Sequence, residues 1–392
     1  MVANKIPINP SVLAWARETS GFALNEMAKV KQFANLEKWE TGEESPTYSQ
    51  LEKLAEKYHR PIAIFFFPNP PQEETIERSL RALSEEDLAT VTPIVRFLFR
   101  KAKAFQLSLK ELFEDQYDLQ ERKLFWMKAL SDAPISEITK QVRERINVSV
   151  GEQESWKDSD EALRKWRDLL AENGIYVFKD AFKNPNISGF CIYDELFPVI
   201  YVNNSHSKNR QIFTIFHEVA HLIFKQSYLD IFNEDFWELE LKNPNHEEVK
   251  CNAFAAEFLV PSSDFQVRIK SIDTNDDSSI SELANIYHVS REVILRRLLD
   301  QNLIAQNSYG EKIEEWHKTS EVSNTDQKKG GGNYYNTKAV YLGNAYISLV
   351  LRKYYQGRID VEQASEYLDI KSKSFAGIEE GFLKQGGSNV RI

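Results

Sequence analysis

Apolar residues along this chain recur mostly three and four positions apart, the spacing of helices with one buried face, and this pattern is interrupted once by short β-type runs. Residues 10–67 divide into short helical segments. PSVLAWARETSG starts at Pro10 and Ser11 and ends at Gly21; LNEMAKV, NLEKWETGE, TYSQLEKLAEKY and PIAIFFF follow, the last opened by Pro61. PNPPQEE (68–74) is a proline-rich break that marks a domain boundary. From Thr75 to about Val150 the pattern stays helical and polar, as in VTPIVRFLFRKAKAFQLSLKELF, and predicts a helical connector.

Near residue 160 the texture changes. DEALRKWRDLLAENG (160–174) is an amphipathic helix closed by a glycine, and it leads into IYVF (175–178), SGFCIY (188–193) and PVIYVN (198–203). Only DELF separates the last two runs, so they are expected to pair as a hairpin. Two helices are expected next, over QIFTIFHEVAHLIF (211–224) and EEVKCNAFAAEFLV (247–260), the second stopped by Pro261. DSSISELANIYHVSREVILRRLLDQNLI (277–304) has the form helix, short turn, helix, GGG (330–332) marks a linker, and a helical piece completes the chain. The expected division is 1–72, a connector over 73–150, a core over 151–265, a helical module over 266–308, a linker over 309–332 and a C-terminal helical module over 333–392. The fold class is α+β, predominantly helical, with a small antiparallel sheet.

Composition changes this picture only at its margins. An apolar content of 42% over 392 residues is that of a globular chain with two or three domains. No apolar stretch reaches the roughly 18 to 20 residues of a membrane span, and the first ten residues lack a signal core, so a cytoplasmic protein with no membrane partner is expected. Two cysteines are too few for a disulfide scaffold. A net charge of −10 speaks against broad binding of nucleic acid, without excluding a small DNA-reading module.

The chemistry concentrates in TIFHEVAHLIF. The chain has seven histidines, and two of them, with a glutamate, stand in what otherwise reads as a buried helix. His217 and His221 are about one turn apart on one face and can direct nitrogens at a single ion, while Glu218 is rotated by roughly 100°, beside the ion instead of on it. A zinc peptidase needs this geometry: two imidazoles and a third protein ligand hold Zn²⁺, and the glutamate takes a proton from the zinc-bound water as it attacks a carbonyl. The same metal repays the burial of polar groups, although a single histidine here would be an ordinary core residue. Spacing alone leaves the third ligand open. Glu248 lies near the start of the next helix on a stripe with Asn252, Ala255 and Leu259; Glu257 is its rival, with His246, Glu247 and Cys251 behind them. Between the helices, residues 228–247 carry five acids before the single Lys242 (Asp230, Glu234, Asp235, Glu238, Glu240) and the aromatics Phe232, Phe236 and Trp237, either a flap that favours a basic partner or a packing surface. The strand before the active helix, Pro198, Val199, Ile200, Tyr201, Val202 and Asn203, is the candidate for main-chain pairing with an extended substrate.

VIYVNNSHSKNRQIFTIFHEVAHLIF followed by EEVKCNAFAAEFLVP resembles the ImmA/IrrE family of metallopeptidases, with Arg210, Phe213, His217, Glu218, His221, Glu248, Asn252 and Pro261 on its pattern and Cys251 in place of the usual alanine. The resemblance implies a gluzincin-like zinc core with Glu248 as third metal ligand. Residues 8–71 are similar to the Xre/Cro helix-turn-helix, but residues 1–72 balance eight Lys/Arg against eight Glu, and the base-reading helix offers only Asn35, Glu37 and Lys38. That balance disfavours DNA as its partner relative to protein. The family implies cleavage of a repressor or antitoxin-like protein, with the product of an adjacent gene the first candidate. The alternative function is a transcriptional regulator or antitoxin that binds DNA or a toxin without proteolysis.

Overall fold

The structure is a computed structural model that describes residues 5–79, 91–113, 133–224, 228–231, 247–274, 276–323 and 334–384. The chain divides into two compact units, residues 1–104 with 182–184 and residues 105–181 with 185–392, and the division falls inside one helix, after Ala104.

In the first unit the short segments form where the caps and apolar spacing place them: α1 (Pro10–Thr19), α2 (Leu24–Ala28), α3 (Leu36–Glu40) and α4 (Tyr48–Tyr58), with 3₁₀ turns at Lys31–Phe33 and Ile62–Phe66. Asn9 caps α1 through Ser11 N, and Thr47 and Gln50 form a reciprocal capping box at α4. Leu13, Leu36, Trp39, Leu54, Tyr58 and Phe65 centre its core. Arg17 on α1 and Glu40 on α3 form an almost buried ion pair, with Nε 2.8 Å from Oε1. Both α2 and α3 are only five residues long. After α5 (Ile76–Ser79) comes α6 (Pro93–Phe113), and Arg100 of α6 donates to the terminal carbonyls of Thr19 (3.5 Å) and Tyr58 (2.9 Å). One guanidinium thus serves two helix C-termini whose last carbonyls find no partner within the helix, Tyr58 O also accepting from Ser20 Oγ at 3.2 Å.

The second unit contains α7 (Ile135–Ile146), α8 (Val150–Glu154) and α9 (Ser159–Glu172), then β1 (Tyr176–Asp180), β2 (Ile187–Ile192), β3 (Val199–Asn203), α10 (Lys208–Ile223), β4 (Tyr228–Ile231) and α11 (Glu247–Leu259). Beyond these lie α12 (Ser262–Arg268), α13 (Asp277–Tyr287), α14 (Arg291–Asp300), α15 (Gln306–Ser323), α16 (Tyr334–Leu342), α17 (Asn344–Tyr355), α18 (Val361–Tyr367) and α19 (Phe375–Lys384). The sheet order is β1-β3-β2-β4. The expected β2–β3 hairpin forms, but the sheet is mixed, because β1 runs parallel to β3 with Tyr176 opposite Val199. Period-2 alternation sets which face a residue occupies and is silent about the partner strand, so an all-antiparallel sheet does not follow from it.

One face of the sheet, through Val177, Cys191, Ile200 and Val202, joins the core that holds α9, α10 and α11. Phe105, Phe178 and Tyr346 pack together on α6, β1 and α17, with Phe178 stacked on Phe105 at 4.3 Å. Trp166 of α9 is the hub of the first core, with edge contacts to Trp156, Phe216 and Phe258. The stretch expected as a linker over 309–332 is helical as far as Ser323, and residues 324–332 lie outside the described set. The helix forms because Tyr309, Ile313 and Trp316, at spacings of four and three, pack on the core, and Trp316 Nε1 donates to Asp277 at 2.8 Å. Among the described residues no helix is long and apolar enough to cross a membrane.

Removing the ring of Trp166 leaves a void that three aromatic neighbours cannot fill, so Trp166→Ala is expected to cost about 3–5 kcal/mol in urea unfolding of the second unit. Lys179 on β1 offers a pH test. Burial first, then the positive charges of Arg167 and Lys208, push its ammonium down to about 6 from the ordinary 10.5. The unfolded chain therefore binds more protons than the folded one between those values, and this group makes stability rise with pH across that window. Lys179→Met should exceed the wild type in stability at neutral pH, and its advantage should shrink as denaturation is measured toward pH 10.

Candidate metal centre

Helix α10 begins at the Ser207 cap, whose Oγ accepts from Arg210 N, and every side chain from Thr214 to Ile223 is buried. His217, Glu218 and His221 are 3%, 0% and 0% exposed. Helix α11 packs against α10 through Cys251, Phe254, Ala255 and Phe258, small and flat side chains that bring the backbones close. Its N-terminal turn delivers Glu248.

The four-residue step sets His217 Nε2 3.1 Å from His221 Nε2. Glu248 Oε2 lies 3.2 Å from the first of these nitrogens, and Oε1 lies 3.2 Å from the second. Among the described residues this is the group of histidine, cysteine and acidic side chains that could hold a metal ion, with all donor atoms within 4.8 Å of one another. Asn252, one turn beyond Glu248, places Oδ1 2.9 Å from His217 Nδ1. A carbonyl oxygen only accepts, so His217 Nδ1 carries the proton and Nε2 turns a lone pair toward the centre. On the other ring Cys251 Sγ is 3.6 Å from Nδ1. Lone pairs and a carboxylate converge on one point, and a cation there satisfies them together. The separations agree with the edges of a tetrahedron built on bonds of ~2.0–2.1 Å, about 3.3 Å, so the residues present fit such an ion. Burial opposes the charge on Glu248, but protons carried by the His217 and His221 rings toward it outweigh burial through their hydrogen bonds and positive charge and hold the carboxyl well below the usual range; a cation at the same point takes the place of those protons.

Glu218 faces β2. A Cβ placed on Gly189 would lie 2.7 Å from Thr214 Cγ2, 2.9 Å from the Tyr201 carbonyl and 3.7 Å from Glu218 Oε1. Only a glycine there lets the strand approach α10 closely enough to enclose the Glu218 carboxylate.

The other candidates separate cleanly. Glu257 accepts from Ser262 N (3.0 Å) and pairs with Arg297, so it caps α12 and ties α14 to the core, away from the histidines. Glu247 lies at the start of α11, and His246 lies outside the described residues, as do residues 232–246 of the acidic aromatic insert. The proposed pairing strand is corrected: Val199 to Asn203 form β3, which has β1 on one side and β2 on the other, so its main-chain groups are already engaged. One contribution escaped the pattern of the chain, the glycine inside SGFCIY, a signal of close approach; the pattern places Asn252 on a shared face with Glu248, but its bond to His217 does not follow from that face.

Comparison with known families reaches the same segment. Residues 170–299 match Peptidase_M78, the IrrE N-terminal-like domain. The IrrE-like match covers about a third of the chain, from the end of α9 through α14, and it contains His217, Glu218, His221 and Glu248. It points to a metallopeptidase and does not extend to residues 1–72. The chain has no match among curated proteins.

Asn252→Ala should leave the helix intact but free the His217 ring, lowering affinity for zinc, used as the probe, by roughly 10- to 100-fold in a chelator competition assay.

Proposed function

We propose that this chain is a zinc-dependent endopeptidase that cleaves a regulatory protein, of repressor or antitoxin type. The observation that carries the reading is Glu218: a fully buried carboxylate beside, and not within, a His–His–Glu ligand set. A purely structural metal site has no use for it.

His217 and His221 would hold the ion through Nε2 and Glu248 through its carboxylate, with Asn252 keeping the His217 tautomer. A bound zinc ion supplies Lewis acidity near neutral pH. Glu218 would accept a proton at its carboxylate from the water that attacks the peptide carbonyl and pass it to the departing amide nitrogen. The enclosure by Gly189 and Thr214 keeps bulk water from that carboxylate.

An extended substrate needs a strand edge. On the β1 side, Arg167 fills the place: its Nε and Nη2 donate to Val177 O at 3.1 and 2.7 Å, and its guanidinium also holds Val340 O and Tyr341 O of α16. Among the described residues strand β4 is the opposite edge, next to β2 and its Gly189, and it is the place this reading assigns to the substrate.

Glu218→Gln is the decisive variant. It should keep stoichiometric zinc by elemental analysis and lose about 10²- to 10⁴-fold in cleavage of a random decapeptide pool followed by mass spectrometry. Wild-type rates from a zinc-loaded Glu218→Gln protein would sink the reading and favour a non-proteolytic binding role.

A further inference from the structure

The metal-facing stripe of α10 continues past the histidines. At about 100° per residue, Arg210 lies only roughly 20° from His217 around the helix axis, on the same line as His221. On this stripe Arg210 and Phe213 are partly exposed, whereas everything from Thr214 to Ile223 is buried, so a chain laid along the stripe toward the ligand set passes Arg210 and Phe213 first. The guanidinium is aimed by the strand beneath it. β2 carries an extra residue between the Ile187–Ile231 and Gly189–Asp230 pairs, and that bulge residue is Ser188. Ser188 is buried, and its Oγ accepts from Arg210 Nη2 at 3.0 Å. The bulge therefore does two things at adjacent positions: Gly189 makes room for Glu218, and Ser188 sets the plane of the Arg210 fork.

We propose that Arg210, oriented by Ser188, is a specificity residue that recognises a carboxylate side chain of the substrate. Seven residues of helix rise about 10.5 Å, the length of about three residues of extended peptide, so the recognised Asp or Glu lies about three positions from the bond to be cut. An arginine suits this task because its planar fork matches a carboxylate in two hydrogen bonds, where a lysine would offer a point charge. The inference rests on the peptidase reading, which supplies the extended peptide and its scissile bond.

Binding and cleavage test it separately. Zinc-loaded, full-length Glu218→Gln protein is titrated by fluorescence anisotropy with labelled decapeptides carrying a single Asp, Asn or Lys at each position in turn. Asp should bind about tenfold tighter than Asn at one position, and adding Arg210→Glu should invert the preference toward Lys at that position. Ser188→Ala should weaken the Asp preference without inverting it, as expected of a residue acting through Arg210. The same preference in the Arg210→Glu protein, or no Asp preference at any position, would overturn the proposal. Wild-type protein that cleaves these peptides without regard to the acid leaves the peptidase reading standing and removes Arg210. An Asp preference in binding with no cleavage by wild type does the reverse.

Discussion

Three electron-rich groups meet in the interior of this protein, and the second unit is organised around the need to hold them together. The Nε2 atoms of His217 and His221 and the Glu248 carboxylate lie 3.1 to 3.2 Å apart in a setting almost closed to water. Acceptors at that distance repel one another unless something positive lies between them, and burial strengthens the repulsion because solvent cannot screen it. A framework that brings them together must therefore be rigid, and a cation that the group could hold would offset its cost.

Rigidity comes from polar side chains that satisfy backbone groups across elements. Arg143 of α7 donates to Phe258 O at 2.7 Å, and Gln153 of α8 donates to Leu259 O and Tyr287 O, so the buried terminal carbonyls of α11 and α13, which have no partner within their helices, become joints. Glu257 and Arg297 make a second joint between α11 and α14. The IrrE-like segment is thus braced from both flanks of the sequence. Arg167 does the same at the sheet edge, where Gly343, with φ of +85°, passes so close to the guanidinium that a Cβ would lie 2.7 Å from Nη2. Through that contact α16 and α17 belong to the same body as β1.

Much of this was legible along the chain. The helix over His217 to His221, the glycine-closed helix before the strands and the β2–β3 hairpin follow from period, caps and spacing, which are local properties, whereas spacing left Glu248 and Glu257 as rivals and only the family resemblance favoured Glu248. The helix over 306–323 was not, because its stripe of Tyr309, Ile313 and Trp316 is diluted by polar residues and gains its meaning only from the surface it meets. Strand β3 was assigned an edge it does not have, since hydrophobic alternation cannot tell an interior strand from a border one when both faces are covered.

The sequence by itself determined the candidate ligand types and their order, two imidazoles one helical turn apart and an acid on a second helix, with a further carboxylate between the imidazoles but off their line. Those are consequences of a 3.6-residue period that no tertiary contact alters. Only the tertiary structure decided which distant acid completes the set, which way the His217 ring is protonated, and how Gly189 and Ser188 address Glu218 and Arg210. Each of those depends on how two elements approach one another across space, and the packing of whole side-chain surfaces sets that approach.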